Sequence, residues 1–576
     1  MNRMKRLLFF LGLAACLGCS ATPQAPAGES INLNEATKSV LTVSVDGQPV
    51  QVDWYVDNYI ARPNRPEDQK INIYIPANAT KDSPILLYVN NGGWTMNDYP
   101  TGTLTDGRDY NGQTDKAGVA LKEGYVIVSY GGRSRANEPV DGKYLGHSPS
   151  IMTDTKAVVR YLRFNKKALP AGDTEKIIVT GTSGGGALST LVAASGNSPD
   201  FFPSLYEIGA AGITRKTDGT YESAPGYGDN VFGVIAYCPI TDLGHACAAY
   251  EWLYGDTRKE MYVAGTMSYP YADQAAILAA SDALASTYGA YVDGLGLKDD
   301  QGQPITAGNL RNYISALMQE EIRRSIEEFG VEQMTRDLEQ EIRRRGGFGG
   351  PMGGRGQGGP GGQGGQRGQG GPGGMGRPNG QNPPAAQQPT EHRENNGWIS
   401  FAGDGTFTYD LDKHLAYVAR YTALKVAPAF SNTGLYGSAQ SEDTLFGSES
   451  DPYSPFNFYA WEHDSQANRV GLDDTGLGWQ EFLQTEDGKR LALQLKMTSA
   501  MDYILEGKSD TAPFWYVRHG MDDRDTSFAV EATLFAAVKN SPKVSNANVG
   551  FAWLKPHSGD YDVPEAYSWL KTVLSR

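Results

Sequence analysis

The run Gly181-Thr182-Ser183-Gly184-Gly185 constrains this chain more than any other stretch, because of what flanks it. Lys176-Ile177-Ile178-Val179-Thr180 before it is a β-branched strand, and Gly186-Ala187-Leu188-Ser189-Thr190-Leu191-Val192-Ala193-Ala194 after it reads as a helix. A strand that turns sharply into a helix needs small residues on both sides of the turn. A serine at the apex has its hydroxyl raised above the sheet, with the next N–H facing the oxygen of an attacked carbonyl. Such patterns arise by chance in a chain with 70 glycines, so the flanks, not the five letters, point to a serine hydrolase.

Strand-like runs at Gln51–Ile60, Lys70–Ile75, Ile85–Val89, Tyr125–Tyr130 and Val231–Cys238 alternate with helical patterns, one of them around Val158, Val159 and Leu162. After a long interruption the alternation returns with Pro513–Arg518, a helix around Phe528–Val538, Asn548–Trp553 and a terminal helix ending near Leu574. This spacing predicts an α/β chain with a mostly parallel sheet covered on both faces. The expected layout is a leader (1–19), a tether (20–36), a first core segment (37–239), an inserted lid (240–487) and a second core segment (488–576). Within the lid, a charged helical run from Leu310 to Arg345 repeats Ile314, Leu317, Met318 and Ile322 at helical spacing, a packing face. Gly346 to Gly380 holds 20 of the 70 glycines, and the biased segment extends to about residue 389. It has too little apolar surface to offset the entropy of ordering it, and it lacks the collagen repeat.

The 51 basic and 66 acidic residues give a net charge of -15, which argues against nucleic acid as a partner. Arg3, Lys5 and Arg6 precede a short apolar run, Leu7-Leu8-Phe9-Phe10-Leu11, in the pattern of an export signal. The run is too short for a stable membrane span. Leu13-Ala14-Ala15-Cys16 and Leu17-Gly18-Cys19 both resemble the bacterial lipobox, so either cysteine is a candidate for lipidation. The expected destination is outside the cytoplasm, secreted or held at a membrane by that lipid alone. Cys238 and Cys247 remain, as a disulfide or as two buried thiols. No clustered His/Cys pattern implies a structural metal, and no organic cofactor is expected.

A serine hydroxyl needs a base, and the base needs an acid beside it. In the α/β-hydrolase arrangement these follow the serine in the order acid, histidine. Of seven histidines, His147 precedes the serine, and His245, His392, His414 and His463 fall in the irregular middle. His519 lies upstream of the available carboxylates, whereas His557 follows the last strand-like run. The loop after Phe514–Arg518 offers Asp522, Asp523 and Asp525, among which spacing does not choose. Asn90-Asn91-Gly92-Gly93-Trp94, after the run Ile85–Val89, is placed to give a second oxyanion donor from Gly92 or Gly93, beside the N–H of Gly184.

Several blocks resemble the subtype-B bacterial tannases, α/β-hydrolases that cleave galloyl esters. They are Lys122–Ser129, Gly181–Gly186 with Ser195–Asp200, Ala236–Leu243, Arg518–Ser527 and Pro556–Asp562. The resemblance covers nearly all of the chain after the leader, apart from the glycine segment. It implies an α/β-hydrolase fold with a large inserted lid, and the triad Ser183, Asp523 and His557. It further implies that Lys425, Glu442 and Asp525 bind the three ring hydroxyls of gallate. Two departures stand out: Gly184 replaces the family's usual alanine, and the glycine segment enlarges the lid. The function implied is hydrolysis of galloyl esters of plant polyphenols through a galloyl-serine intermediate. The alternatives are a broader carboxylesterase or feruloyl esterase, a prolyl-oligopeptidase-like peptidase, which too few residues precede the first strand to support, and a noncatalytic binder.

Overall fold

The computed structural model describes residues 31–34, 37–96, 115–266, 273–346, 395–421, 423–435, 441–464 and 470–576. The leader with Cys16 and Cys19, His392, and the glycine-rich stretch beyond Gly346 lie outside them. Nine strands form the central sheet: β1 (Ser39–Val45), β2 (Gln48–Asn58), β3 (Lys70–Pro76), β4 (Ile85–Val89), β5 (Val126–Tyr130), β6 (Ile177–Thr182), β7 (Gly233–Tyr237), β8 (Phe514–Gly520) and β9 (Asn546–Ala552). Their spatial order is β1-β2-β3-β5-β4-β6-β7-β8-β9. The first pairings, through β3 with β5, are antiparallel, and every pairing from β5 with β4 onward is parallel. This is the mostly parallel central sheet expected from the sequence.

The sequence reading begins the sheet at Gln51 and leaves β1 unassigned. The signal for it is Asp46-Gly47, which turns β1 into β2 with both residues at positive φ, 52° and 75°. That dihedral pair is the hairpin turn that Asp-Gly favours.

Burial on the parallel strands alternates between two clusters. Ile177, Val179, Val234, Ala236, Trp515 and Val517 face one core, while Ile178, Ile235, Tyr237, Phe514 and Tyr516 face the other. The second core is closed by α1 (Lys116–Lys122) and the terminal helix; Ala117, Ala120, Leu121, Val563, Ala566 and Leu570 belong to it. The first core is covered by α2 (Ser150–Phe164) and α3 (Gly184–Ala194), the latter buried along its whole length. Burying each of these branched side chains contributes roughly 1.5–3 kcal/mol.

Between β7 and β8 no described residue joins the central sheet. Long helices fill that stretch: α4 (Leu243–Val263), α5 (Gln274–Gly294), α6 (Leu310–Phe329) and α7 (Val331–Gly346). The charged run is therefore two helices, because Gly330 at φ 80° and ψ 153° ends the first. Ile314, Leu317, Met318 and Ile322 are buried as expected, on a helix that packs against β9 and the helix following β8. Downstream, α8 (Ala500–Glu506) packs on α3, and α9 (Phe528–Asn540) and α10 (Val563–Leu574) complete the core. Among the described residues no helix is long and apolar enough to cross a membrane.

Candidate active site

Ser183 occupies the β6–α3 turn with φ 63° and ψ -124°, a strained conformation for a residue with a side chain. The glycines around it make the turn possible. A Cβ on Gly181 would stand 2.5 Å from the carbonyl carbon and oxygen of Gly185. The Ser183 amide donates to Tyr237 O (2.9 Å) and its carbonyl accepts from Ile240 N (3.2 Å), tying the apex to the end of β7.

His557 stands in the loop after β9, and Asp523 in the turn after β8. His557 Nε2 lies 2.8 Å from Ser183 Oγ, and His557 Nδ1 lies 2.7 Å from Asp523 Oδ2. Asp523 is fully buried, and its other oxygen accepts from Asp525 N at 2.7 Å. The loop carboxylates that spacing left equivalent thus separate. Asp523 meets the imidazole, whereas buried Asp522 lies 3.8 Å from His414. Burial pushes the Asp523 carboxyl up, but His557 and His519 outweigh it and hold it well below the ordinary carboxylate range. Burial lowers the proton affinity of His557, and Asp523 more than restores it.

Two groups behind the triad had no assigned role in the sequence reading. His519 Nε2 is 3.6 Å from Asp523 Oδ2, and His519 Nδ1 is 3.6 Å from Glu531 Oε1. Burial lowers His519 to about 4 and raises Glu531 well above the usual carboxyl value. His519 is therefore neutral near pH 7, burial favours the protonated form of Glu531, and Asp523 remains the charged partner of His557. Glu531 falls within the helical run Phe528–Val538 and His519 just after the strand-like run Pro513–Arg518; their juxtaposition was not legible.

The loop Asn91–Trp94 lies against the start of α3, as the oxyanion reading requires. A Cβ on Gly184 would come 2.3 Å from Trp94 N, 2.6 Å from Asn91 Oδ1 and 2.9 Å from Gly93 N. A side chain at this position would therefore displace the loop. Gly93 and Trp94 both have positive φ, 55° and 59°, and buried Trp94 donates from Nε1 to Ile240 O at 2.9 Å. Gly92 pairs with Thr95 in the small hairpin of this loop and is exposed, while Gly93 approaches Gly184 more closely.

The remaining candidates converge only in part. A carboxylate oxygen of Asp525 lies within 4.8 Å of ligand atoms of both Asp523 and His557. It accepts from Arg524 Nη1 at 2.5 Å. Burial pushes Asp525 up, while Arg524, Lys425 and His557 bring it below the ordinary range. The Lys425 ammonium is 4.7 Å from the centre of the Phe430 ring. Glu442 begins a short 3-10 turn, Glu442–Leu445, and its Oε1 lies 3.8 Å from where a Gly93 Cβ would be. Lys425 is thus electrostatically linked to Asp525, and Glu442 stands over the oxyanion loop.

These lid segments are fixed by residues absent from the sequence reading. Arg258 on α4 pairs with Glu251 at 2.8 Å, both buried, and its Nη2 also donates to Lys425 O at 2.8 Å. Tyr250 OH accepts from Lys425 N at 3.1 Å. Buried Asp443 accepts from Ser431 Oγ and Ser441 Oγ, 2.5 Å each, and from Thr433 N at 2.8 Å. Cys238 and Cys247 are buried free thiols, which decides between the two alternatives for them. Cys238 Sγ donates to Ser558 O at 3.3 Å beneath the His557 loop, and Cys247 Sγ accepts from Phe430 N at 3.4 Å. Among the described residues, two groups have metal-ligating atoms within 4.8 Å of one another: Cys238, His519 and Asp523, and Asp523, Asp525 and His557. Asp523 is common to both, so an ion in either would compete with the His557 hydrogen bond.

Residues 71–277 match the family model described as BD-FAE. A search of curated proteins finds no match. Among solved structures, the chain is similar to Fusobacterium nucleatum tannase, with 24% identity and a TM-score of 0.66 over 95% of this chain and 99% of that one. It is similar to native tannin acyl hydrolase from Lactobacillus plantarum, with 24% identity and a TM-score of 0.67 over 94% and 99%. A tannin acyl hydrolase in complex with ethyl gallate gives the same four values. The likeness establishes an α/β-hydrolase fold along nearly the whole chain.

Proposed function

We propose that the chain is a serine esterase that hydrolyses galloyl esters, releasing gallate from hydrolysable tannins and simple gallate esters. The observation that carries this reading is the hydrogen-bonded series Ser183 Oγ, His557 Nε2, His557 Nδ1 and Asp523 Oδ2, with Asp525 beside the imidazole. Ser183 Oγ attacks the ester carbonyl carbon as its proton passes to His557 Nε2. Asp523 stabilises the imidazolium that results. The N–H groups of Gly184 and Gly93 stabilise the negative oxygen of the tetrahedral intermediate. His557 then returns the proton to the departing alcohol oxygen as the C–O bond breaks, leaving galloyl-Ser183. Water, deprotonated by His557, attacks the acyl carbon, and Ser183 Oγ leaves with that proton.

Substrate choice rests on Lys425, Glu442 and Asp525. Phenol hydroxyls donate to carboxylates, and an ammonium donates to a phenol oxygen. The likeness to a hydrolase in complex with ethyl gallate supports the same substrate class for this chain. An ester without ring hydroxyls would leave those groups unpaired, which penalises it. Hydrolysis of methyl gallate, methyl benzoate and methyl ferulate by the purified protein tests this. Methyl gallate is expected to be strongly preferred; equal rates would leave a broad carboxylesterase, and a preference for ferulate would make it a feruloyl esterase. We also propose export with lipidation at Cys16 or Cys19, on the leader pattern. A labelled fatty acid incorporated in wild type and lost on Cys16→Ser or Cys19→Ser checks it, and an unlabelled wild type would contradict it.

A further inference from the structure

We infer that Arg135 is a positioning residue that locks the oxyanion loop and the Glu442 turn into one unit, so that carbonyl activation and ring recognition are set together. The inference rests on the esterase reading for its catalytic meaning and on geometry for its mechanical one. Arg135 follows β5 in Gly131-Gly132-Arg133-Ser134-Arg135. The root of this loop is fixed: Arg133 Nη2 donates to buried Asp154 on α2 at 2.8 Å, and Arg133 N donates to the same carboxylate at 2.7 Å. Ser134 Oγ accepts from Met96 N at 3.1 Å, joining it to the far end of the oxyanion loop.

From that anchor the Arg135 guanidinium bridges two segments. Its Nε donates to Gly93 O at 2.9 Å. Its Nη1 donates to Ser441 O at 2.6 Å and Thr444 Oγ1 at 2.5 Å. The acceptors lie 42 residues before it and 306 and 309 residues after it. Its Nη2 is 3.7 Å from where a Gly93 Cβ would be, and Glu442 Oε1 is 3.8 Å from the same point. Gly93 has positive φ and little intrinsic stiffness, so a charged donor on its carbonyl fixes the peptide plane next to the proposed oxyanion donor. The same cation holds both ends of the turn that carries Glu442. A planar fork with donors on separate nitrogens can do both, and a lysine ammonium on a shorter reach cannot.

The test uses full-length Arg135→Ala and Arg135→Lys with methyl gallate and methyl benzoate as substrates. Arg135→Ala is expected to lower kcat on both esters about 10- to 100-fold, through the misplaced oxyanion loop. It is also expected to raise KM for methyl gallate while leaving KM for methyl benzoate unchanged. Glu442→Gln should raise KM for methyl gallate. Arg135→Lys should recover no more than one of the two effects. Hydrogen exchange supplies a readout independent of substrate: Arg135→Ala should lose protection at residues 91–96 and 441–445 together. An Arg135→Ala enzyme with unchanged kcat on methyl benzoate, or exchange altered in only one segment, overturns the inference. A wild type that hydrolyses neither ester would instead overturn the functional reading, with the exchange result still deciding the clamp.

Discussion

The two halves of the candidate site are built differently. Ser183, Asp523 and His557 each sit within a few residues of the end of a parallel strand, on β6, β8 and β9. Their relative placement is inherited from the strand ladder, in which Tyr237 pairs with Thr182 on one side and Arg518 on the other. Lys425 and Glu442 sit on segments that belong to no strand of that sheet. Their placement comes from long-range hydrogen bonds by Arg258, Tyr250 and Arg135. A sheet-borne group is hard to displace without unfolding the core, whereas a lid-borne group depends on a few polar contacts. Under the proposed function the triad lies on the first, and Lys425 and Glu442, two of the three proposed ring contacts, lie on the second, a division in which specificity can change while the reaction stays.

Four measurements press on that division. Asp523→Asn should reduce kcat about 10⁴-fold on gallate and benzoate esters alike, since it disturbs the tautomer and orientation of His557. A substrate-selective loss would erase the contrast. Gly184→Ala should lower kcat on both esters by up to about 10²-fold, because its Cβ must push Trp94 N and Asn91 Oδ1 aside and move the oxyanion loop. Steady-state kinetics with both esters checks each.

Asp525→Ala should lower kcat/KM for methyl gallate about 10- to 100-fold, in proportion to one lost charged hydrogen bond. The same change should alter methyl benzoate hydrolysis by less than about threefold, the residual effect of a charge near His557. Equal losses would place Asp525 with the reaction rather than with recognition. The smallest effect is on pH. Asp523 raises the proton affinity of His557, so the neutral base is lost as pH falls through that raised value. The acid limb of kcat/KM should therefore have its midpoint above the ordinary imidazole value of 6.5, on both esters. A midpoint at or below that value would contradict the assignment.

The same division decided what was legible in the sequence. Strand ends announce themselves through runs such as Ile177-Ile178-Val179 and Trp515-Tyr516-Val517, so the elements carrying the triad could be read locally. Choosing Asp523 over Asp522 and Asp525 could not be done from spacing, because a loop of five residues presents each carboxylate at a similar distance from the strand. The resemblance made the choice, and the structure puts Asp523 against His557. β1 was passed over although Leu41, Val43 and Val45 alternate with Thr42 and Ser44 and Asp46-Gly47 marks its turn. The split at Gly330 was hidden inside a helical pattern that continues on both sides. Arg135 and Arg258 left no local trace, since their partners lie up to 309 residues away. His519 and Glu531 read only as parts of a strand end and a helix, and their juxtaposition behind Asp523 needed three dimensions.

The most direct test is to quench the purified enzyme with acid during steady turnover of methyl gallate and map the peptides by mass spectrometry. One galloyl group is expected on the peptide that carries Ser183, absent from Ser183→Ala, which also fails to release gallate. Gallate release that persists in Ser183→Ala, with no acylated peptide in either protein, would contradict it.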